Sequence, residues 1–365
     1  MIELPDFPWD RLTPYGDVAR AHPDGIVDLS IGTPVDPTPE IVQRALAQAA
    51  DAPGYPTTIG TERLRHAIAG WLERRVGVTV DPLTEVLPSI GSKELVALLP
   101  TLLGSVGKVL FPDLAYPTYD VGARIAGCEP VPVPTTDGLI DLAALDRVGD
   151  GAALLWINYP ANPHGRCAPR GHLADVVEWA RARGVLVASD ECYIEFAYTA
   201  PSSSALAHGA DGVLTVHSLS KRSNLAGYRA GFVAGDATVV RRLLEVRKHA
   251  GLIVPAPVQA AMAAALDDDE HVDAQRRIYG ERRTLLQPAL ESAGWCIDHS
   301  EGGLYLWVTH PLHDSWSAVE HLAKAGVLVA PGDFYGAAGR RHVRVAMTAP
   351  TERIRAAAHR LETTT

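Results

Sequence analysis

One stretch of the sequence, residues 152–160 (AALLWINYP), is apolar along almost its whole length. Such a run is typical of a strand buried on both faces of a parallel sheet, because a half-exposed strand alternates apolar and polar residues. Comparable runs recur between about residues 85 and 235 and alternate with segments of helical periodicity. Parallel strands need helical, right-handed crossovers, so this region is predicted to form an α/β fold with a mostly parallel sheet.

Polar residues come at or just after the ends of these apolar runs, among them Asn162, Asp190 and Ser218. Open α/β sheets bind ligands at the carboxyl ends of their strands, so we expect these side chains to share one site. A carboxylate at the end of a hydrophobic strand is costly unless a cation meets it, which makes Asp190 a candidate partner for a positively charged ligand atom. The alternative for Asp190 is a simple capping role.

Lys221 follows Ser218 and Ser220, where an apolar run gives way to a glycine-bearing turn, and Arg229 lies eight positions further on. A lysine held near apolar or cationic neighbours can lose its proton and act as a Schiff-base nucleophile. The hydroxyls and the planar guanidinium group suit a dianionic phosphate. The alternative is an ordinary solvated loop lysine.

A second phosphate-binding candidate is the segment Gly91, Ser92 and Lys93, which opens a predicted helix. Helix N-termini present unpaired N–H groups and a partial positive charge. A plain capping turn, with Ser92 as N-cap, is the alternative, and the two are compatible.

Composition narrows the classes of function. The chain has 365 residues, 47% hydrophobic and 21% charged, which is typical of a globular protein with a large core. The formal charge of −10 and the lack of a long basic run disfavour nucleic-acid binding. Neither an export signal nor an apolar run of membrane-spanning length is visible, so no membrane role and a cytoplasmic location are expected.

The four cysteines, Cys128, Cys167, Cys192 and Cys296, are far apart and form no CxxC pair. A disulfide framework or a cysteine-rich zinc site is therefore not expected. Fourteen histidines are present, but none has HExxH or comparable ligand spacing. We expect a reduced protein without a metal.

The motif S-x-S-K followed by G-x-R-x-G, around Lys221 and Arg229, resembles the cofactor-lysine segment of fold-type I pyridoxal-phosphate enzymes, the class I and II aminotransferase family. This resemblance extends in order from Gly32 to Arg344, nearly the whole chain. It implies a large domain with a seven-stranded sheet and a smaller α+β domain built from both chain ends. The implied ranges are 1–45 for the N-terminal arm and part of the small domain, 46–265 for the large domain and 266–365 for the small domain.

The resemblance also implies roles for individual residues. Lys221 would bind pyridoxal 5'-phosphate as a Schiff base, Asp190 would pair with the pyridine nitrogen, and Tyr193 and Asn162 would bond its phenolic oxygen. Tyr116 would stack on the ring, while Tyr119 packs in the core. The phosphate would be held by Gly91, Ser92, Lys93, Ser218, Ser220, Arg229 and, from a neighbouring chain, Tyr55. Gly32, Asn162 and Arg344 would contact the substrate, with Arg344 pairing with its α-carboxylate.

Two residues depart from the family pattern N-P-x-N-P-T-G, because Tyr159 replaces the first asparagine and His164 replaces the threonine. His164 could be taken for a catalytic base or, with Cys167, for a metal pair. Two residues on a loop without further ligands make a poor site. We interpret His164 as a variation within the family.

The resemblance further implies a ping-pong transfer of an amino group between amino acids and 2-oxo acids, in a homodimer with shared sites. The segments ELPDFPWD and HPDGIVDLSIGTPVDPTP resemble those of actinobacterial N-succinyldiaminopimelate aminotransferases, which implies glutamate as donor in lysine and diaminopimelate biosynthesis. The alternatives are a broad-specificity aspartate or alanine aminotransferase and a carbon–sulfur lyase on the same fold. A non-catalytic ligand-sensing domain of a regulator is the alternative from another class.

Overall fold

The apolar run forms β7 (Ala152–Asn158), an inner strand of a seven-stranded sheet. The other strands of this sheet are β2 (Val86–Ile90), β3 (Lys108–Pro112), β4 (Glu129–Val133), β8 (Leu186–Asp190), β9 (Val213–Ser218) and β10 (Ala230–Gly235). The strand order is β2-β10-β9-β8-β7-β3-β4, in which β10 is antiparallel to both neighbours and the other pairs are parallel. The prediction of a mostly parallel seven-stranded sheet is confirmed.

Helices cover both faces of this sheet. Leu155 and Ile157 pack into one core and their neighbours Leu154 and Trp156 into the other, as the two-residue period of a strand requires. One core contains residues of α3 (Glu62–Trp71), α6 (Leu142–Val148), α7 (Arg170–Arg181) and α10 (Ala256–Asp267), and the other contains residues of α4 (Gly91–Leu102), α5 (Thr118–Ile125) and α9 (Ala237–Ala250).

A further core lies around a four-stranded antiparallel sheet, where Leu12 and Leu29 from the start of the chain pack with Trp307 and Leu361. The elements of this part are α1 (Thr13–Arg20), β1 (Val27–Asp28), α11 (Glu270–Ser292), β11 (Cys296–Asp298), β12 (Tyr305–Thr309), α12 (Ser315–Lys324), β13 (Val327–Leu328), β14 (Ala330–Pro331), β15 (His342–Ala346) and α13 (Thr351–Thr363). The order of strands in the antiparallel sheet is β11-β12-β15-β14.

The computed structural model describes residues 4–363. The predicted domain boundaries stay a prediction, and their outermost residues, 1–3 and 364–365, lie outside the described part. Other short elements are α2 (Glu40–Gln48), the hairpin of β5 (Thr135–Thr136) and β6 (Leu139–Ile140), and α8 (Leu219–Arg222). Within the described residues, no helix is long and apolar enough to cross a membrane.

The sequence pattern from residue 258 to 294 indicates one long helix, but the structure divides it at Asp268 and Asp269 into α10 and α11. Asp268 is extended, with φ −111° and ψ 119°. Its carboxylate accepts a hydrogen bond from the backbone N–H of His271 at 3.3 Å and contacts the His271 ring at 2.5 Å. An aspartate side chain that bonds nearby backbone groups competes with helix continuation, which explains the break.

A buried ion pair joins α4 to α9. The guanidinium group of Arg247, a residue with no exposed surface, donates to the two carboxylate oxygens of Glu94 at 2.8 and 3.3 Å. Removal of Glu94 would leave this buried cation without its partner, and such losses are strongly destabilising.

We therefore expect Glu94→Leu to lower the free energy of unfolding by about 3–5 kcal/mol, measured by urea denaturation. The matched control is Glu40→Leu, which removes an exposed pair with Arg44 and should cost about 0.3–0.5 kcal/mol. Equal losses in the two variants would mean that Arg247 does not depend on Glu94.

Candidate active site

A cavity of about 650 Å³ lies at the carboxyl ends of β7, β8 and β9, beside the N-terminus of α4. It brings together most of the residues that the sequence singled out. Those lining it are Gly32, Ser92, Lys93, Tyr116, Asn162, Asp190, Tyr193, Ser218, Ser220, Lys221, Arg229 and Arg344.

Lys221 lies on α8, directly after β9, and is largely enclosed. Its ammonium group donates a hydrogen bond to the backbone carbonyl of Gly32. Burial lowers the pKa of Lys221, and the positive charges of Arg344 and Arg229 lower it further. The amine is thus easier to deprotonate than a solvated lysine, as a nucleophile or proton carrier requires.

Asp190 ends β8 and is buried at the floor of the cavity. Its carboxylate accepts hydrogen bonds from the Tyr119 hydroxyl at 3.0 Å and from the Cys192 backbone N–H at 3.2 Å. Burial raises the pKa of Asp190, and no cation among residues 4–363 forms an ion pair with it. A cationic group of a ligand, such as a protonated ring nitrogen, fits this carboxylate.

Hydroxyls and a guanidinium group surround the first turn of α4. Gly91 has φ +72°, and a Cβ there would lie 2.3 Å from an Nη atom of Arg229, so only glycine allows this approach. Ser92, Ser218 and Ser220 line the same cavity as Arg229. Together with the helix N-terminus, they form a donor set that suits a phosphate group.

The capping alternative for Ser92 is wrong. α4 begins at Gly91, its N-cap residue is Ile90, and no side chain caps it, so Ser92 is already the second helical residue. Ser218, by contrast, is the N-cap of α8 and accepts a hydrogen bond from the Ser220 backbone N–H at 3.2 Å. The Ser92 hydroxyl is therefore not engaged in capping its helix.

Arg344 lines the same cavity and is buried. One of its Nη atoms donates to Asn162 Oδ1 at 2.9 Å and the other to the Ser30 carbonyl at 2.8 Å, while its Nε has no hydrogen-bond partner within residues 4–363. Its Cζ atom lies 3.9 Å from the ring centre of Tyr305. A buried guanidinium group without a carboxylate partner suits the carboxylate of a substrate.

Tyr193 faces Tyr305, with the two hydroxyl oxygens 3.1 Å apart. Burial raises the pKa of Tyr193 well above its usual value, and the neighbouring Tyr305 adds to the shift, so Tyr193 stays protonated as a hydrogen-bond donor. A Cβ on Gly32 would lie 2.2 Å from the Tyr305 hydroxyl. Glycine at position 32 therefore lets the backbone lie close to Tyr305, whereas any side chain there would require Tyr305 to move.

Tyr116 lines the cavity and meets Tyr119 edge to face, with ring centres 6.0 Å apart. Tyr119 is fully buried and stacks on Trp156, which agrees with its predicted place in the core. Its hydrogen bond to Asp190 gives it a role at the site that the sequence did not predict.

Other residues at the site were also missed. Asn158 accepts from the Asn162 backbone N–H at 2.7 Å and donates to the Asp190 carbonyl at 2.7 Å. It ends the apolar run of β7, so the signal that identified Asp190 could have found it. Other lining residues that the sequence did not single out include Phe7–Trp9, Cys192 and Tyr305, where the sequence carries no comparable signal.

Tyr159 and His164, the two residues that depart from the family pattern, have side chains that point away from the cavity. The Tyr159 hydroxyl accepts a hydrogen bond from the Ile140 backbone N–H at 3.1 Å. His164 is buried, and its Nδ1 accepts from the Arg166 N–H at 3.3 Å. Burial, with His299 and Arg166 nearby, lowers the pKa of His164 to about 3, so this histidine is neutral, and it does not line the cavity that holds Lys221.

Two predicted site residues do not line the cavity. Gly91 is one of them, although it lies close to Arg229, which does line the cavity. Tyr55 is fully exposed and lies outside the cavity of its own chain. Within residues 4–363, no group of three or more histidine, cysteine, aspartate or glutamate side chains is placed to hold a metal ion.

The state of Asp190 generates a prediction about stability. Since its pKa is raised in the folded chain, folding is less favourable when this carboxyl is charged than when it is neutral. We expect Asp190→Asn to raise the melting temperature of the chain at pH 7 when it is stripped of small molecules. The gain should shrink as the pH falls towards the ordinary range of carboxyl groups, because Asp190 then becomes protonated in both the folded and the unfolded state.

The measurement is thermal unfolding from pH 4 to pH 8, with Asp175→Asn as the control because Asp175 is an exposed carboxylate on α7. At pH 7, Asp190→Asn could instead melt at or below the temperature of the unaltered chain. That result would contradict the interpretation of Asp190 as a carboxylate that lacks its cation.

Comparison with known proteins gives consistent matches. The family model described as aminotransferase class I and II matches residues 24–361. The 4-dedimethylamino-4-oxo-anhydrotetracycline transaminase OxyQ of Streptomyces rimosus is 55% identical over 99% of this chain and 100% of its own length. An LL-diaminopimelate aminotransferase of Desulforudis audaxviator is 37% identical over 98% of this chain and 95% of its own. The solved structure of a probable N-succinyldiaminopimelate aminotransferase from Thermus thermophilus has 33% identity and a TM-score of 0.90, covering 98% of this chain and 100% of that one.

Proposed function

The chain belongs to the class I and II aminotransferase family and is a pyridoxal-phosphate-dependent aminotransferase, and from this premise we propose that it exchanges an amino group between glutamate and an N-succinylated diaminopimelate skeleton. The observation that carries the chemistry is the position of the Lys221 amine, enclosed in one cavity with the Asp190 carboxylate and the Arg344 guanidinium group. The amine suits an aldehyde, the carboxylate suits a protonated ring nitrogen, and the guanidinium group suits a substrate carboxylate.

The donor set of the cavity fits pyridoxal 5'-phosphate. Bound there, the cofactor would supply an electron sink for the charge left when the Cα–H bond of the substrate breaks. Ser92, Ser218, Ser220 and Arg229 would hold the phosphate, with Gly91 and Lys93 at the same helix N-terminus. Asp190 would keep the ring nitrogen protonated.

The other residues of the site would orient the reactants. Asn162 and Tyr193 would donate hydrogen bonds to the phenolic oxygen, and Tyr116 would lie against the ring. The Lys221 amine would carry the proton that leaves the substrate Cα. Arg344 would bind the α-carboxylate, with Gly32 beside it.

The proposed substrate is supported by two groups of relatives whose names share the diaminopimelate skeleton. The cavity, at about 650 Å³, has room for a long substituent beyond the reacting carbon. Lys93 is exposed at its edge, with its ammonium group 5.7 Å from the Phe7 ring centre. This cation is available to a second carboxylate at the far end of the substrate.

A second candidate substrate is a polycyclic ketone. It is favoured by the 55% identity to a relative named for an oxo-anhydrotetracycline, over the whole length of that relative. Apolar side chains that line the cavity, among them Trp9, Val96 and Val121, would suit fused rings.

The proposed assembly is a homodimer with shared sites, in the cytoplasm. Tyr55 supports the dimer, because a fully exposed tyrosine with a phosphate-binding role needs a second chain to complete its site. The four cysteines are free, which supports a reducing compartment.

We expect the purified enzyme to show a visible absorption band that shifts when glutamate is added, and Lys221→Ala to lack the lysine-linked band. Glutamate consumption should then be measured with N-succinyl-2-amino-6-oxopimelate, with oxaloacetate and pyruvate, and with the oxo-anhydrotetracycline. Turnover in the Lys221→Ala variant should fall by roughly 10²–10⁴-fold.

The outcomes separate the candidates. Highest kcat/KM with the succinylated compound supports the proposal, while highest kcat/KM with the polycyclic ketone replaces it with the second candidate. Preference for oxaloacetate or pyruvate indicates a broad-specificity enzyme, and pyruvate and ammonia formed from a cysteine-type substrate without any oxo acid indicate lyase chemistry. No band after addition of pyridoxal phosphate would exclude the role proposed for Lys221.

The shared-site proposal predicts complementation. Mixed dimers of Tyr55→Ala and Lys221→Ala should contain one site that has both residues, and so recover about a quarter of the unaltered activity when subunits mix at random. The control is each variant mixed with itself. Mixtures no more active than the two separate variants would show that Tyr55 serves its own chain or no site at all.

A further inference from the structure

A single side chain on α11 bonds to both segments that meet at Lys221. These segments are the lysine loop, residues 221–224, and the glycine loop, residues 32–38. The Gln275 Oε1 atom accepts a hydrogen bond from Asn224 Nδ2 of the lysine loop at 2.8 Å. Its Nε2 atom donates to Asp36 Oδ2 of the glycine loop, also at 2.8 Å. Both ends of one buried amide are therefore used to connect the two loops.

Two neighbours on α11 strengthen these attachments. Arg282 donates to both oxygens of Asp36, at 2.5 and 2.9 Å, and is almost fully buried. His271 Nε2 lies 2.8 Å from the hydroxyl of Ser223, the residue at the end of α8. The spacings of four and seven residues between His271, Gln275 and Arg282 place all three on one face of the helix.

These attachments affect the position of the reacting amine, because Lys221 donates a hydrogen bond to the Gly32 carbonyl. This bond spans the two loops that Gln275 joins. The separation of the Lys221 amine from the Gly32 carbonyl thus depends on how α11 holds both loops, and a small displacement in such a contact is costly for reaction rates.

We propose that Gln275 is a positioning residue for Lys221, which sets the reach of the amine into the cavity by fixing the lysine loop against the glycine loop. This inference rests on the proposed function of Lys221. Direct contacts also join the loops, since Asn224 Nδ2 donates to the Pro37 carbonyl at 3.2 Å and Thr38 Oγ1 donates to the Asn224 carbonyl at 3.3 Å. The test must show that these are insufficient without Gln275.

Gln275→Glu is the sharpest perturbation, because it keeps the shape and the bond from Asn224 but places a carboxylate against the Asp36 carboxylate. The double variant D36N/Q275E restores an amide–carboxylate pair with the polarity reversed, and leaves Arg282 beside one negative charge. Gln287→Glu is the matched control, since it is the same change on the same helix and Gln287 contacts Glu291 instead of either loop.

The primary measurement is the rate at which the visible absorption band grows when pyridoxal phosphate is added to the full-length enzyme stripped of cofactor. It reports the reaction of Lys221 before any turnover. We expect the Gln275→Glu rate to fall by about tenfold to a hundredfold. D36N/Q275E should return to within about threefold of the unaltered enzyme, and Gln287→Glu should match it. The kcat/KM for glutamate should follow the same order.

Melting temperatures separate positioning from folding. If Gln275→Glu does not fold, Gln275→Met, which loses both hydrogen bonds and adds no charge, takes its place with the same expected decrease. The proposal is overturned if a folded Gln275 variant forms the absorption band at the unaltered rate. It is also overturned if the double variant folds but does not recover that rate. An unaltered enzyme that never forms the band overturns the proposed function of Lys221 instead, so the two failures are distinguishable.

Discussion

The hydrogen bond from the Lys221 ammonium group to the Gly32 carbonyl joins two residues that are 189 positions apart in the sequence. It connects the segment after β9 to the segment after β1. A cation removed from water needs an acceptor, and here a backbone carbonyl provides it instead of a carboxylate. An acidic partner would hold Lys221 permanently charged. A neutral acceptor orients the amine and leaves its pKa lowered by burial and by the arginines nearby.

The side chains around this contact make the cavity predominantly positively charged. Among the described residues that line it, Lys93, Lys221, Arg229 and Arg344 are cationic and Asp190 is the one acid, although the whole chain carries a formal charge of −10. A cavity of this sign concentrates anions at its mouth. The four cationic side chains suit a phosphate group and two carboxylates. Asp190, the single acid, is then available to a cationic ring.

The sequence was most informative where structure follows from local pattern. The apolar run of β7 predicted a buried parallel strand, and the polar residues after it and at the ends of β8 and β9 line one cavity because parallel strands end at one edge. Contacts between distant segments have no such signal. Nothing in the sequence around Gln275 indicates that it meets Asp36 and Asn224, or around Tyr119 that it bonds to Asp190. The break at Asp268 was missed for a related reason, since helical periodicity continues through a residue whose side chain bonds forward to His271.

The departures at Tyr159 and His164 show how a family motif can change without a change in the site. Both side chains turn into packed surroundings, where Tyr159 meets the backbone at Ile140 and His164 meets the backbone at Arg166. Asn158, one position before the substituted asparagine, connects the loop after β7 to the end of β8 through its bonds to Asn162 and Asp190. The loop that carries Asn162 is therefore held by a residue inside the strand, which leaves positions 159 and 164 free to vary with the packing beneath them. On this argument, differences in substrate among relatives should arise from the walls of the cavity, at positions such as Trp9 and Val121, because the residues that would hold the cofactor are fixed by the ends of the strands.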